Sequence, residues 1–266
     1  MADYIDFLGT SGTRTPTQGT TCLQVSDHCV IDAGNLINTF GDNVFTIEHI
    51  FLTHSHLDHI IDIPFLADLF VTQKNVSLKV YGLKATLDDL RQFIFNHRVW
   101  PNFEEITLIG HTEKTIELIE LQPEIAYPVD DVILTPFKTN HTDGSCGYKI
   151  EKNANAILFT ADTYICDRVW ELLDANPNIH TLVTEVSFPS RFKQLAYDSK
   201  HLTPALLSDE LLKCSRKDFT VCAMHLKTLF STEIIAELND MKLLRNGGKV
   251  LGDHDRIAYA PPASTL

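Results

Sequence analysis

Three histidines and an aspartate lie within six positions of the chain, in the stretch His54-Ser55-His56-Leu57-Asp58-His59. The apolar run Ile50-Phe51-Leu52 comes just before them, and short apolar runs of this kind are typical of buried strands. Residues two apart in extended backbone point to the same side, so His54, His56 and Asp58 are predicted to converge. His59 would point elsewhere unless the chain turns there, which suits a second site beside the first. Imidazole and carboxylate groups together fit zinc, manganese or iron better than magnesium or calcium.

Further residues of the ligand type also follow apolar runs, and each run is interpreted as a strand. A carboxylate among them could bridge two cations, because each of its oxygens can bind one. Their shared position at strand ends predicts that they meet the first cluster and complete a pair of adjacent metal sites. These residues are His141, Asp162 and His225.

Hydrophobic periodicity predicts the strands and helices that position these groups. Many strands in the first half, followed by alternating strands and helices, predict a layered α/β domain. One predicted helix starts near Asp62, has Pro64 in its first turn, and carries Phe65 and Leu69 on its apolar face with Leu66 and Phe70. Strands are predicted at 4–8, 20–25, 28–32, 47–52, 78–81, 106–109, 115–121, 132–137, 147–151, 156–160, 180–186, 219–224 and 249–251, and the other helices at 87–95, 167–173, 203–212 and 232–244.

Composition limits the classes of protein to consider. The chain has 266 residues, of which 44% are hydrophobic and 21% charged, as in an ordinary globular protein. We interpret residues 1–266 as a single domain. The formal charge of −13 disfavours a nucleic-acid partner such as tRNA. The six cysteines are dispersed and form no CxxC pair, and no signal peptide is evident, so we expect reduced thiols. No apolar run is long enough to cross a membrane, and we expect a cytoplasmic location.

The order His54-x-His56-x-Asp58-His59, followed by the three later residues, resembles the metallo-β-lactamase superfamily over most of the chain. The resemblance implies an α/β fold, a four-layer αβ/βα sandwich, and a two-metal hydrolase site. By this resemblance the first metal would be held by His54, His56 and His141, the second by Asp58, His59 and His225, and both by Asp162.

Shorter motifs narrow the resemblance. Phe7-Leu8-Gly9-Thr10 is similar to both ribonuclease Z and the class II cyclic-nucleotide phosphodiesterases. His201-Leu202-Thr203-Pro204 and Val99-Trp100-Pro101-Asn102-Phe103 look like phosphodiesterase segments. The chain departs from the phosphodiesterase pattern at Asp62 and Pro64. The substrate that enters therefore stays open at this point.

The resemblance implies a phosphodiesterase that hydrolyses 3′,5′-cyclic nucleotides, cAMP or cGMP, to 5′-nucleotides. A hydroxide shared by two divalent ions, most simply zinc, would attack phosphorus, and Asp58 would orient it. His201 is the candidate general acid, because imidazole titrates near neutral pH, and Glu185 is the candidate residue that orients it. The competing interpretations are that His201 only precedes a helix and that Glu185 is a solvated carboxylate. Asp32 is interpreted as structural.

Four other functions are weighed against the phosphodiesterase. A ribonuclease Z-like endonuclease that removes tRNA 3′ trailers is disfavoured by the negative charge, and other hydrolases of the same superfamily are also open. A flavodiiron-type oxidoreductase is disfavoured because those proteins have glutamate where this chain has His56. A scaffold without activity is disfavoured because all seven ligand residues are present. The expected partner is a small-molecule cyclic nucleotide, and no membrane partner is expected. A homodimer is left open.

Overall fold

The computed structural model describes residues 3–260, which form two β-sheets and eight α-helices. The strands are β1 (Tyr4–Gly9), β2 (Cys22–Gln24), β3 (Cys29–Ile31), β4 (His49–Phe51), β5 (Leu78–Leu83), β6 (Ile116–Leu121), β7 (Tyr127–Val129), β8 (Val132–Lys138), β9 (Cys146–Lys152), β10 (Asn155–Phe159), β11 (Ile179–Glu185), β12 (Thr220–Met224) and β13 (Asp255–Ala258). The helices are α1 (Leu36–Phe40), α2 (Leu57–Ile60), α3 (Ile63–Gln73), α4 (Lys84–Asp89), α5 (Asp167–Ala175), α6 (Lys193–Ser199), α7 (Pro204–Leu211) and α8 (Ser231–Asp240). A π-helical turn, Leu90–Ile94, continues α4, and short 3₁₀ helices cover Gly41–Thr46, Ser190–Phe192 and Thr228–Phe230.

Each sheet joins a parallel part to an antiparallel part. The first sheet has the order β13-β1-β2-β3-β4-β5-β6, and β3 to β6 run parallel. The second has the order β12-β11-β10-β9-β8-β7, and β10 to β12 run parallel. Parallel neighbours need a crossover connection, and the helices lie in these connections. The carboxyl ends of the parallel strands thereby come to one edge of each sheet.

Three hydrophobic clusters divide the protein into four layers. One cluster lies between the two sheets and includes Phe7, Phe51, Tyr148 and Met224, each at most 1% exposed. A second lies between the first sheet and α1 to α4, and a third lies between the second sheet and α5, α7 and α8. Helices thus cover the outer face of each sheet, as the amphipathic pattern requires. This arrangement confirms the predicted four-layer α/β sandwich.

Two predicted strands are wrong. The run at 106–109 forms no strand: Ile109 is 68% exposed, and Thr107 makes only an isolated bridge to Lys114. At 249–251 an isolated bridge joins Val250 to Ala223, and the chain forms its last strand later, as β13 against β1. Both runs are three or four residues long and lie beside turns, so periodicity alone did not separate them from strands. The helix predicted at 232–244 is also shorter, because α8 ends at Asp240.

Helix α3 begins where it was predicted, but its buried face differs. Pro64 lies in the first turn, as predicted, while Phe65 and Leu69 are 48% and 39% exposed. The carboxylate of Asp62 accepts a hydrogen bond from the Ile37 amide at 2.9 Å and makes no cap bond to its own helix. The separate helix α2 directly before α3 sets the direction in which the chain enters. The buried residues of α3 are Ile63, Leu66, Ala67 and Phe70.

Polar side chains follow six strands at one edge of the sandwich, where the two sheets meet. The edge is tied across the sheets, because the Tyr148 hydroxyl donates to the Leu52 carbonyl at 2.6 Å and the Cys146 amide donates to the Thr53 carbonyl at 2.9 Å. The polar residues at this edge are Asp32 after β3, His54 and His56 after β4, His141 after β8, Asp162 after β10, Glu185 at the end of β11, and His225 after β12.

Candidate metal centre

The first group of predicted ligands comes together from both sheets. Nε2 of His54 and Nε2 of His141 each lie 3.8 Å from Oδ2 of Asp162. Nδ1 of His56 lies 3.1 Å from Nε2 of His141. One potential ligand atom from each of these four residues lies within 4.8 Å of the other three. The strand ends therefore form a compact nitrogen and oxygen cage of the size that one transition-metal ion needs.

The second group shares Asp162 with the first. Nε2 of His59 lies 3.5 Å from Oδ2 of Asp162, and Nε2 of His225 lies 3.4 Å from Oδ1. The same His225 nitrogen lies 3.4 Å from Oδ2 of Asp58. The two oxygens of Asp162 thus face different members of the group, as a carboxylate between two cations would. All seven residues that the sequence predicted as ligands meet at this edge.

Unpaired nitrogen atoms show that these residues fit a cation. Nε2 of His54, of His59 and of His225 is buried and has no hydrogen-bond partner among the described residues. A buried polar atom without a partner costs about 1–3 kcal/mol. Metal ions would remove this cost by accepting these lone pairs, that of His54 in the first group and those of His59 and His225 in the second. The donor set of imidazoles and carboxylates suits zinc, manganese or iron.

In three histidines of the candidate centre, the protein holds the ring nitrogen Nδ1. Nδ1 of His59 lies 2.7 Å from Oδ2 of Asp32, and Nδ1 of His54 lies 3.0 Å from the Thr53 hydroxyl. Nδ1 of His141 lies 2.9 Å from the Lys200 carbonyl. A donor hydrogen bond at Nδ1 keeps the proton there and leaves Nε2 free to bind a cation.

The charges at the centre also favour a cation. Burial lowers the pKa of His54 well below its usual value, and His59 lowers it further. Burial would raise the pKa of Asp162, but His225 and His59 hold it well below its usual range. Burial would likewise lower the pKa of His59, but Asp162 and Asp32 raise it well above the ordinary value. The protein therefore presents a neutral His54 and an ionised Asp162.

The short helix α2 explains why four ligands so close in sequence can serve two groups. His56 has extended backbone, with φ −64° and ψ 146°, and the helix starts at the next residue. Asp58 and His59 therefore lie on a helical turn, rather than on the continued strand that the alternation argument used. The turn directs both side chains toward His225. This is the turn at His59 that the sequence left open.

Two glycines allow this close approach. A Cβ at Gly34 would lie 2.2 Å from the Asp58 carbonyl oxygen, and one at Gly12 would lie 2.6 Å from the carbonyl oxygen and 2.9 Å from Nδ1 of His225. Any side chain at either position would displace a member of the second group. The loop that contains Gly12 therefore supports His225. Amides of this loop already donate to other groups of the protein. Its Thr10 amide donates to Asp253, and its Gly12 amide to the Leu226 carbonyl.

His201 and Glu185 form a buried pair beside the two groups. Nδ1 of His201 lies 2.7 Å from Oε1 of Glu185, and the two residues are 6% and 1% exposed. The alternative interpretation of Glu185 as a solvated carboxylate is therefore wrong. Burial would lower the pKa of His201, but Glu185 and Asp162 raise it above the ordinary value. The His201 ring lies 4.8 Å from that of His141 and 5.5 Å from that of His225, measured between ring centroids.

Two residues in contact with the predicted ligands were not among the sequence predictions for the site. Asp32 is fully buried and accepts from the Thr53 amide and hydroxyl, both at 2.8 Å, besides its contact with His59. Its φ of +59° turns the chain sharply at the end of β3. Ser187 is also fully buried and contacts His225. The only signal in the sequence was that both follow strands that lead to this edge.

A polar cavity of about 880 Å³ lies on the other side of the loop that supports His225. Its walls include Ser11, Arg14, Asn35 and Thr228, and none of the seven predicted ligands lines it. The predicted ligands lie instead at the open edge of the sandwich, where His56 is exposed. The histidine and aspartate cluster, and not this cavity, is therefore the candidate functional site.

The four layers and the site at their edge define a metallo-β-lactamase fold, which solved structures also show. A metallo-β-lactamase-fold protein of Bacillus subtilis, YhfI, matches with a TM-score of 0.74 at 17% identity, over 96% of this chain and 98% of its own. Unliganded yeast PDE1 matches with a TM-score of 0.74 at 16% identity, over 96% of this chain and 99% of its own. At these identities the likeness shows the fold alone.

Within this fold the family is also shown. The sequence pattern of the class-II cAMP phosphodiesterases matches residues 26–163, which is more than half of the chain. The chain belongs to the class-II cAMP phosphodiesterase family. The matched segment contains six of the seven residues of the cluster, and only His225 lies beyond it.

Curated relatives come from two kinds of enzyme. A probable 3′,5′-cyclic-nucleotide phosphodiesterase of Yersinia pestis is 26% identical over 70% of this chain and 58% of its own length. A ribonuclease Z of Haloferax volcanii is 30% identical over 40% of this chain and 31% of its own length. The matches thus cover about a third to three fifths of these relatives. Within residues 3–260, no helix combines the length and the apolar character that crossing a membrane requires.

Proposed function

We propose that the protein is a metal-dependent phosphodiesterase that hydrolyses 3′,5′-cyclic nucleotides to 5′-nucleotides. The observation that carries the proposal is the cluster of seven histidine and aspartate residues, with the His201 and Glu185 pair beside it. Membership of the class-II cAMP phosphodiesterase family supports this substrate class.

Seven residues would hold two divalent ions, most simply zinc, with manganese and iron as alternatives. When bound, the two ions would supply Lewis-acid activation of water and neutralise charge on the phosphate oxygens. In the proposed division, Asp162 lies between the two sites because its oxygens face both groups. The first site consists of His54, His56 and His141, and the second of Asp58, His59 and His225.

The remaining chemistry belongs to side chains of the chain itself. Asp58 is only partly buried, so one carboxylate oxygen can accept a hydrogen bond from the attacking water. Attack forms one P–O bond and breaks the bond between phosphorus and the 3′ oxygen. His201 gives the departing 3′ oxygen its proton from Nε2, while Glu185 holds Nδ1. The proton that the attacking water loses passes to solvent and His201 takes one up again, so the net reaction adds one water across the cyclic phosphodiester.

A direct assay tests the proposal. Purified protein with added zinc or manganese is incubated with cAMP and with cGMP, and the products are separated by chromatography. We expect 5′-AMP or 5′-GMP, and no product from an Asp162→Ala variant. The proposal would be contradicted if the protein hydrolysed neither nucleotide and instead cleaved a pre-tRNA trailer.

That trailer cleavage is the second candidate function. The 30% identity to a ribonuclease Z favours it. The formal charge of −13 counts against it, because a tRNA backbone would be repelled overall. Cleavage of pre-tRNA that weakens steeply with added salt would favour the endonuclease over the cyclic-nucleotide enzyme.

A single hydrolase domain over residues 1–266, a cytoplasmic location and a homodimer are further parts of the proposal. Limited proteolysis tests the domain, because one domain should resist internal cleavage as a unit. Light scattering after size exclusion tests the dimer, for which a mass near 60 kDa is expected from a chain of 30.0 kDa.

A further inference from the structure

The hydroxyl of Ser187 lies at the centre of a buried hydrogen-bond network. It is 2.8 Å from Oε2 of Glu185, 3.0 Å from Nδ1 of His225 and 3.2 Å from Nδ1 of His201. It is also 3.1 Å from the His225 carbonyl oxygen. Ser187 itself has no accessible surface. The single hydroxyl proton of Ser187 therefore has several possible acceptors, and solvent does not reach this side chain.

The chemistry of the partners decides the direction of these hydrogen bonds. Nε2 of His225 lies 3.4 Å from a carboxylate oxygen of Asp58 and of Asp162 and would give its lone pair to a cation bound there, which places the ring proton on Nδ1. That N–H can donate to the Ser187 oxygen. The serine proton then goes to the carboxylate oxygen of Glu185, which is a stronger acceptor than the His225 carbonyl.

The two oxygens of Glu185 are thereby divided between two histidines. Oε1 accepts from Nδ1 of His201 at 2.7 Å and from the Thr163 amide at 3.0 Å. Oε2 accepts from Ser187 and, at 3.3 Å, from the Leu202 amide. The Thr163 contact also anchors the residue that directly follows Asp162. One buried carboxylate thus contacts three segments that contribute to the centre.

We propose that Ser187 is a positioning residue that links Glu185 to His225, so that one carboxylate orients both the proposed general acid and a ligand of the second metal site. This inference rests on the proposed function for the role of His201 and on the proposed second site for that of His225. The link itself concerns only how the chain holds the His225 ring. It can therefore be tested without turnover.

The first test is the Nδ1 proton of His225 in the zinc-loaded protein. Proton–nitrogen NMR correlations identify this N–H, and its chemical shift reports its hydrogen bond. We expect a downfield Nδ1 proton in the native protein and an upfield shift in Ser187→Ala. The isosteric Ser187→Cys keeps a weak donor and acceptor and should lie between the two. An Nδ1 proton unchanged in Ser187→Ala would overturn the link.

The second test is a double-mutant cycle on zinc affinity. Removing a partner that orients a metal-bound histidine typically weakens metal binding about 10- to 100-fold. We expect Ser187→Ala and Glu185→Gln each to weaken binding of the second zinc equivalent by about tenfold. In the Ser187→Ala background, Glu185→Gln should add less than about twofold, because the link is already broken.

Turnover separates the two functions of Glu185. In the Ser187→Ala background, at saturating zinc, Glu185→Gln should still lower kcat for a cyclic nucleotide, because it removes the direct partner of His201. The matched control is Ser199→Ala, which removes a serine hydroxyl whose partner is the Leu195 carbonyl on α6. It should leave zinc affinity and kcat unchanged.

The outcomes separate this inference from the proposed function. If Glu185→Gln weakens the second zinc equally in both backgrounds, the link is wrong, whatever the substrate is. If cyclic nucleotides are not hydrolysed but the NMR and zinc results hold, the proposed function fails and the link stands. If Ser187→Ala does not fold, by circular dichroism, Ser187→Cys supplies both the NMR and the affinity measurement.

Discussion

Each buried histidine of the candidate centre has one ring nitrogen held by the protein and the other directed at the cluster. The holding partners are chemically different: a carboxylate for His59, a threonine hydroxyl for His54 and a serine hydroxyl for His225. Asp162 and the partner Asp32 raise the pKa of His59 well above the ordinary value, whereas burial holds the pKa of His54 well below it. The side chains behind the ligands therefore set the orientation of each ring, and its surroundings as a whole set its basicity.

The first prediction concerns the carboxylate of the second group. We expect Asp58→Ala to lower kcat by at least about 100-fold, because loss even of a partner behind a ligand costs about 10- to 100-fold. Zinc content should fall from two equivalents toward one, while the circular dichroism spectrum stays native. Asp68→Ala removes an exposed carboxylate on α3 and serves as the control. Unchanged activity in Asp58→Ala would show that the ligand assignment is wrong.

The second prediction concerns Asp32, which contacts Thr53 twice and His59 once. Asp32→Ala leaves these buried groups without their partner, so we expect a loss of about 3 kcal/mol in the free energy of unfolding. Asp32→Asn should lose less, because asparagine tolerates the positive φ and can still accept from Thr53. Urea unfolding with a chelator present measures both. Equal stability of Asp32→Ala and the native protein would contradict the role assigned to Asp32.

At the scale of elements, a strand end and a short helix supply different ligands. Two histidines follow β4, and two further predicted ligands lie on α2. The strand end directs His54 and His56 to one group, and the helical turn directs Asp58 and His59 to the other. The strand period alone would have placed Asp58 with His54 and His56. The break between the two elements therefore creates the second group.

The third prediction concerns the start of α7. Thr203 is its N-cap, and the side chain accepts from the Leu206 amide at 3.3 Å, with Pro204 in the first turn. We expect Thr203→Ala to lower the free energy of unfolding by about 1 kcal/mol, because one helix amide loses its partner. Thr203→Ser keeps the hydroxyl and should recover most of it. A loss of the same size in both variants would show that the methyl group, and not the cap, matters.

At the scale of the whole molecule, the candidate centre joins the two sheets. His54, His56, Asp58 and His59 come from the side of the first sheet, and Asp162 comes from the second with the other ligands. Cations bound there would cross-link the two halves of the sandwich. Binding to the folded state alone stabilises it by mass action.

The fourth prediction follows from that cross-link. Zinc at about 1,000 times its Kd adds about 4 kcal/mol of stability, and each kcal/mol shifts the Tm of a domain of this size by about 2–4 °C. Removal of metal with a chelator should therefore lower the Tm by about 10 °C, and added zinc should restore it. Magnesium, a poor match for imidazole, is the control. No change in Tm on chelation would contradict binding of a metal between the sheets.

The sequence by itself determined which residues could bind a metal and that they lie at strand ends, because ligand chemistry and the period of a strand are local properties. It also indicated the four layers, since alternating strands and helices leave few ways to bury their apolar faces. It did not determine the buried face of α3. Phe65 stays half exposed, and its ring centroid lies 5.2 Å from that of Trp100. That choice depends on how the preceding helix enters the layer.

Only the tertiary structure decided which residues stand behind the ligands. Asp32 lies 27 positions from His59, and Ser187 lies 38 positions from His225. No local pattern connects such residues, because their contact arises only when neighbouring parallel strands, β3 with β4 and β11 with β12, end at the same edge. For the same reason, the structure and not the sequence showed that Glu185 is buried and reaches both His201 and, through Ser187, His225. Sequence identified the chemical groups, and folding decided which of them touch.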